Sequence, residues 1–172
     1  MLINLSDVLT SEGMEQSREI PLEMTCFECR MGSFEILSKS PVSFLFTNEG
    51  PGKVKIRGGA ELVFGTRCDR CLEEVPVALN LRFERIIAAP GTEDEEADEL
   101  GLTENCQLDT ETFVHNEILV NWPAKILCRE DCRGICPVCG QNRNQRDCGC
   151  DTFVPDPRMA VIQDIFNKNK EV

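Results

Sequence analysis

Val75-Pro76-Val77-Ala78-Leu79-Asn80-Leu81-Arg82-Phe83-Glu84 alternates large apolar residues with small, polar or charged ones without a break. A period of two puts Val75, Val77, Leu79, Leu81 and Phe83 on one face of a strand, which is the signature of a half-buried antiparallel sheet. Upstream, Lys53-Val54-Lys55-Ile56-Arg57 repeats the pattern. Gly58-Gly59 predicts a turn, bulge or bend, after which Ala60 to Arg67 continues as strand. Ser43 to Phe46 and Glu19 to Leu22 are shorter strand candidates, and Asn48 to Gly52 is the expected hairpin turn between the strands of Phe44 and Val54. Residues 1–91 therefore read as a β-rich body, an antiparallel, barrel-like sheet.

Downstream the composition changes. Residues 92–105 hold Glu93, Asp94, Glu95, Glu96, Asp98, Glu99 and Glu104 with no basic residue, too self-repelling to pack and best read as an acidic linker. A helix follows, capped by Asp109 or Thr110, with Val114, Ile118, Leu119 and Trp122 as its apolar stripe and Pro123 as its end. A second short helix is expected at the C-terminus, where Asp156 is placed to cap and Pro157 to start a run with Met159, Ile162, Ile165 and Phe166 on one face. The fold class is thus α+β: a sheet in the first half, two short helices and a cysteine-rich C-terminal knuckle. Residues 106–172 are expected to pack on the body as one compact domain.

The knuckle carries the strongest chemistry. Cys136-Pro137-Val138-Cys139-Gly140 is followed, after an eight-residue excursion from Gly140 to Asp147, by Cys148-Gly149-Cys150, four thiols spaced to hold one tetrahedral zinc ion. Eleven cysteines in all would suit a disulfide-stapled secreted scaffold, yet residues 1–13 show no basic and apolar leader. The expectation is a reducing cytoplasm, where closely spaced cysteines are metal ligands. Cys68-Asp69-Arg70-Cys71 lies between two strands, at a hairpin tip, and supplies half of a second site. Its other half is either Cys128-x3-Cys132 or Cys26-x2-Cys29. A thioredoxin-like role for these pairs is disfavoured, because that motif sits at a strand-to-helix junction.

With 172 residues, 41% of them hydrophobic, the chain can bury one sizeable core, and no run approaches the length of a membrane span. The net charge of −12 argues against a simple phosphate-binding surface. The acidic run alone contributes −7, however, and residues 52–91 hold seven basic against five acidic side chains. RNA contact, if made, would use Lys53, Lys55, Arg57 and the arginines around the cysteines. The single histidine, His115, has no catalytic companions in sequence, and no phosphate loop or carboxylate pair is present.

Cys68-Asp69-Arg70-Cys71-Leu72-Glu73 after a β-rich half, an acidic linker, a helix ending in Trp122-Pro123, Cys128-Arg129-Glu130-Asp131-Cys132-Arg133-Gly134-Ile135-Cys136-Pro137-Val138-Cys139-Gly140, and Asp156-Pro157-Arg158-Met159-Ala160-Val161 together resemble the bacterial YceD family. Its members are called large ribosomal RNA subunit accumulation proteins. The resemblance implies a cytosolic, non-enzymatic factor in large-subunit biogenesis, supporting accumulation or maturation of 23S rRNA. Implied partners are large-subunit rRNA, a ribosomal protein, or both, with no membrane and no small-molecule substrate. It also favours Cys68, Cys71, Cys128 and Cys132 as one zinc site and Cys136, Cys139, Cys148 and Cys150 as a second. Cys26 and Cys29 depart from the family's usual pattern. A rival reading from another class is a redox-switched zinc chaperone whose thiolates release metal on oxidation. A zinc hydrolase is disfavoured, since four thiolates leave the ion no open position for water.

Overall fold

The computed structural model describes residues 1–89 and 106–151. The acidic linker and the C-terminal helix expected above lie outside the described residues. The elements run β1 (Leu2–Asn4), α1 (Ser6–Thr10), β2 (Glu15–Ile20), β3 (Cys26–Cys29), β4 (Gly32–Lys39), β5 (Val42–Gly50), β6 (Lys53–Arg67), β7 (Glu74–Ala88), β8 (Gln107–Asp109) and α2 (Thr110–Asn121). This is a sheet-rich α+β architecture in which every strand pairing among the described residues is antiparallel.

The long strands β6 and β7 form its spine, paired without interruption from Lys53↔Ala88 to Arg67↔Glu74. The alternation that announced β7 is realised in graded form. Leu81, Phe83 and Ile87 are buried, whereas Val75, Val77 and Leu79 toward the hairpin tip are half-buried. Along β6 the period of two runs through Val54, Ile56, Ala60, Leu62 and Phe64, all buried. Gly58-Gly59 is therefore neither a turn nor a bulge but an interior of strand. A Cβ on Gly58 would collide with the Ser43 carbonyl and stand 2.8 Å from the Phe83 ring. Glycine here makes room for an aromatic cross-strand partner.

The other edge of β6 is shared. Its first half pairs with β5, which carries β2, and its second half pairs with β4, which carries β3. The sheet forks on that edge and does not close among the described residues, so the barrel-like closure expected from sequence is not what these strands form. One long strand serving two shorter neighbours spends its hydrogen-bonding edge on branching rather than on circling back.

Asp109 caps α2, its side chain accepting from the Glu111 N–H. The inward face is Thr110, Phe113, Val114, Glu117 and Ile118. Leu119, expected in the stripe, is 47% exposed, because the face turned toward the sheet falls one residue earlier at each turn. Phe113 meets Phe83 edge-on at 5.1 Å, and Trp122 lies 5.0 Å from Phe27, 4.7 Å from Phe34 and 5.0 Å from Phe64. Buried Glu117 is joined to Arg85 of β7 at 2.7 Å, which pins the helix to the spine. His115 contacts the Glu28 carbonyl through Nε2 at 2.9 Å and packs against Phe27, a structural placement. Trp122 thus locks the end of α2 over the β3–β4 branch. From there residues 123–128 run to the tip of the β6–β7 hairpin.

Candidate metal centres

The hairpin tip and the segment after α2 meet through paired backbone contacts. Asp69 donates its N–H to the Ile126 carbonyl at 2.8 Å, while its carboxylate accepts the Ile126 N–H at 2.7 Å. Ile135 N–H donates to the Arg70 carbonyl at 3.0 Å, and Arg70 Nη1 donates to the Cys132 carbonyl at 2.7 Å. Gly134 lies against the Arg70 backbone within this contact. Its φ of +73° is left-handed, and a Cβ there would lie 2.9 Å from the Arg70 carbonyl oxygen.

This docking gathers the sulfurs of Cys68, Cys71, Cys128 and Cys132 into one group and those of Cys136, Cys139, Cys148 and Cys150 into another, each with its four ligand atoms within 4.8 Å of one another. Among the described residues Cys26 and Cys29 join neither group. Cys26 Sγ lies 2.9 Å from the Ser33 hydroxyl, and Cys29 packs against the body's core, since β3 pairs with β4 and not with the hairpin tip. In the first group Cys68 Sγ and Cys132 Sγ are 3.8 Å apart and Cys71 Sγ and Cys128 Sγ 3.5 Å. Four sulfurs on a tetrahedral ion with bonds of about 2.3 Å would be separated by about 3.8 Å, close to these two separations, so the set is compatible with a zinc-sized ion.

Both groups are built on the same turn. Leu72 N–H donates to the Cys68 carbonyl and Gly140 N–H to the Cys136 carbonyl, each at 2.9 Å, with Leu72 at φ +63° and Gly140 at φ +73°. Each turn aims two backbone N–H groups at its first sulfur, those of Arg70 and Cys71 at Cys68 and those of Val138 and Cys139 at Cys136. The second knuckle uses glycine for the left-handed position. The first uses Leu72, which pays conformational strain.

Electrostatics divide each set. Burial works against ionising Cys68, but the N–H groups of Cys128, Cys71 and Arg70 outweigh it and hold the thiol at about 6. Cys71 receives the Glu73 N–H, yet burial and the neighbouring sulfurs push it up to about 12. Burial raises Cys128, while in Cys132 it is overcome by the Asn144 amide and the Gly134 N–H, which lower the thiol. In the second set the N–H groups of Cys139 and Val138 bring Cys136 to about 6, and the sulfurs of Cys139 and Cys148 drive Cys150 to about 12. Some sulfurs are ready to ionise and others refuse while their neighbours are negative. A divalent cation is the species that lets all four lose their protons.

Four polar residues given no role in the sequence reading complete the first site. Asn144 Nδ2 donates to Cys132 Sγ at 3.2 Å, and Glu73 Oε1 accepts from Asn142 Nδ2 at 2.8 Å and Gln145 Nε2 at 3.0 Å. The visible signal was a concentration of amides between the ligand pairs of the second site. Of the basic residues proposed for RNA, Lys55 and Arg57 both pair with Glu84, at 2.9 and 3.2 Å, and Lys55 also with Glu49. The Lys55 ammonium holds the Glu84 carboxyl below its usual range. Arg129 pairs with exposed Asp131 at 3.4 Å.

A forked antiparallel sheet carrying two four-thiol groups at the end of its long hairpin defines a cysteine-knuckle α+β protein. The chain belongs to the family described as large ribosomal RNA subunit accumulation protein YceD, whose model matches residues 56–166. That span runs from near the start of β6 through both cysteine groups. Uncharacterized proteins of Mycobacterium tuberculosis and Mycobacterium bovis are each 32% identical to it over 76 residues. The match takes in 42% of this chain and 37% of each relative, so it spans well under half of their length. No solved structure matches. No described helix is long and apolar enough to cross a membrane.

Proposed function

We propose that this chain is a non-enzymatic cytoplasmic factor that supports accumulation or maturation of 23S rRNA, binding large-subunit rRNA, a ribosomal protein, or both, through a surface shaped by two structural zinc ions. The observation that carries the reading is the completeness of each thiol set: four sulfurs within 4.8 Å fill a tetrahedral ion and leave no position for a water or substrate. Bound zinc would supply a dication that offsets two of the four thiolate charges. Cys68 and Cys71 would hold it to the hairpin tip, and Cys128 and Cys132 to the segment after α2. The family description supports the ribosomal pathway.

Deletion in growing cells tests the pathway. Mature large-subunit rRNA should fall relative to small-subunit rRNA, and Cys71→Ser should fail to restore it. Affinity purification from the same cells should enrich large-subunit precursors, with rRNA and protein partners separated by nuclease treatment. A deletion strain with a normal ratio in both fast growth and cold would remove the assignment. The redox-chaperone reading gains from one feature, the exposed thiol of Cys139 in the second group. Capture of broad unfolded clients only after oxidant exposure would favour it.

A further inference from the structure

Residues 140–147, the loop that separates the two halves of the second thiol set, reach across to the first. Asn144 is the hinge of this arrangement. Its Nδ2 donates to Cys132 Sγ at 3.2 Å, its Oδ1 accepts the Arg133 N–H at 2.8 Å, and its own N–H donates to Asn142 Oδ1 at 2.9 Å. Asn142 in turn forms an isolated antiparallel bridge with Ile135 and donates to Glu73 at 2.8 Å. Gln145 adds a second donor to the same Glu73 oxygen, while Glu73 Oε2 lies 3.7 Å from Cys71 Sγ. The second set's loop therefore supplies a donor to Cys132 directly, and its amides hold the Glu73 carboxylate that lies beside Cys71.

We propose that the two metal centres are thermodynamically coupled: closing the second thiol set around its ion orders loop 140–147 and so presents Asn144 and the Glu73-bound amides to the first. This rests on the zinc reading above. The order of filling follows from chain entropy. The second set's cysteines fall within one short segment, so little loop-closure entropy opposes them, whereas the first set must also order the segment after α2 against the tip of the already folded hairpin. The second site fills first and lowers the cost of filling the first. Donors to a metal-bound thiolate fix its orientation and stabilise its charge, and losing such a partner typically costs about 10–100-fold in metal affinity. Linkage makes the effect reciprocal, since an ion in the first site must strengthen the second by the same factor. Asn144 acts here as a positioning residue, touching a ligand sulfur rather than the ion.

The test is a cobalt(II) and zinc titration of the reduced, metal-free full chain, read by the thiolate-to-cobalt absorption bands and by competition with a chromophoric chelator. Wild type should take two ions. Cys148→Ser/Cys150→Ser, which disables the second site, should bind at the first site about 10-fold or more weaker. Asn144→Asp keeps the acceptor for the Arg133 N–H and replaces the donor, so in an otherwise native chain it should weaken the first site by a similar factor. In the Cys148→Ser/Cys150→Ser background the same Asn144→Asp change should have little further effect, because the loop no longer presents that side chain. Two ions bound with a first-site affinity unchanged by loss of the second, or strictly additive effects of the two substitutions, would overturn the coupling while leaving the zinc reading intact. Fewer than two ions in wild type would overturn both.

Discussion

Phe27, Phe44, Phe46 and Phe64 are fully buried in the sheet, at the centre of a continuous apolar cluster that runs from Ile3 to Ile118. The interior beneath the cysteine segment is instead Cys68, Cys71 and Cys132, with Val75, Leu127 and Cys128 packed against them. Side chains of that size remove little apolar surface from water, and burying a Phe, Leu or Ile side chain is worth roughly 1.5–3 kcal/mol. The sheet can therefore hold its shape by hydrophobic burial, whereas the cysteine segment needs another source. Structural zinc supplies on the order of 10 kcal/mol in small modules of this kind. The two regions share one chain and one long hairpin, yet they should respond differently to every perturbation that distinguishes burial from coordination.

The widest separation is expected with acid. Cys68 and Cys136 sit at about 6, below their ordinary 9.0, so their thiolates add stability that is complete above pH 9 and lost as pH falls through about 6. Cys71 and Cys150, at about 12, add stability in the metal-free chain that is complete below pH 9 and lost as pH rises through about 12. Zinc needs all four thiolates in each set, so protons compete with it directly. Both ions should leave as pH is lowered from about 6, with the sheet's far-ultraviolet circular dichroism retained. An indicator dye reports the release, and a metal content that does not fall with acid at any pH where the sheet stays folded would argue against thiolate coordination.

Next in size is Cys71→Ser, which removes one ligand from the site that ties the hairpin tip to residues 124–132. One of two ions should be lost by elemental analysis, and limited proteolysis should cut the cysteine segment while sparing β5 to β7. Cys139→Ser should expose the same segment but leave the hairpin tip less affected. Equal effects of the two would mean that the tip is not held through Cys71.

The converse perturbation falls on the sheet. Phe64→Ala removes a fully buried ring that meets both Phe27 and Trp122, and should cost about 3–5 kcal/mol while leaving two ions bound. Denaturant titration with parallel metal analysis separates the two readouts. Smallest and opposite in sign is Leu72→Gly. The left-handed φ of +63° strains a leucine, and glycine, as used at the equivalent Gly140, should strengthen zinc retention by about 1 kcal/mol at most. Weaker retention would show that the exposed leucine side chain contributes contacts that outweigh its strain.

Much of the sheet was legible because β6 and β7 keep a strict period of two and end at a cysteine turn. Strands β3 and β4 were not, since Cys26-Phe27-Glu28-Cys29 offered a ligand pattern that competes with a strand reading, and only Phe27 of the four is fully buried. The forked edge of β6 could not be seen either, because pairing partners leave no mark in a strand's own alternation. The helix was located by its cap and by Pro123, but its face was misjudged at Leu119 because buried Glu117 interrupts the apolar stripe and is satisfied only by Arg85 from another element. Spacing marked the second thiol set as a unit on its own. The first needed the family resemblance to prefer Cys128 and Cys132, and Glu73, Asn142 and Asn144 escaped notice because an amide's role at a sulfur depends on a loop's path.

Hydrogen exchange, followed by mass spectrometry on the full chain with and without a strong chelator under reducing conditions, bears most directly on the contrast between burial and coordination. Removing metal should abolish protection of the Asp69, Ile135, Gly140 and Arg143 amides, whose bonds tie the cysteine segment together, while protection along β5, β6 and β7 stays within error of the untreated protein. Unchanged protection in the cysteine segment would contradict metal as its source of stability, and simultaneous loss in both regions would show that they are one cooperative unit.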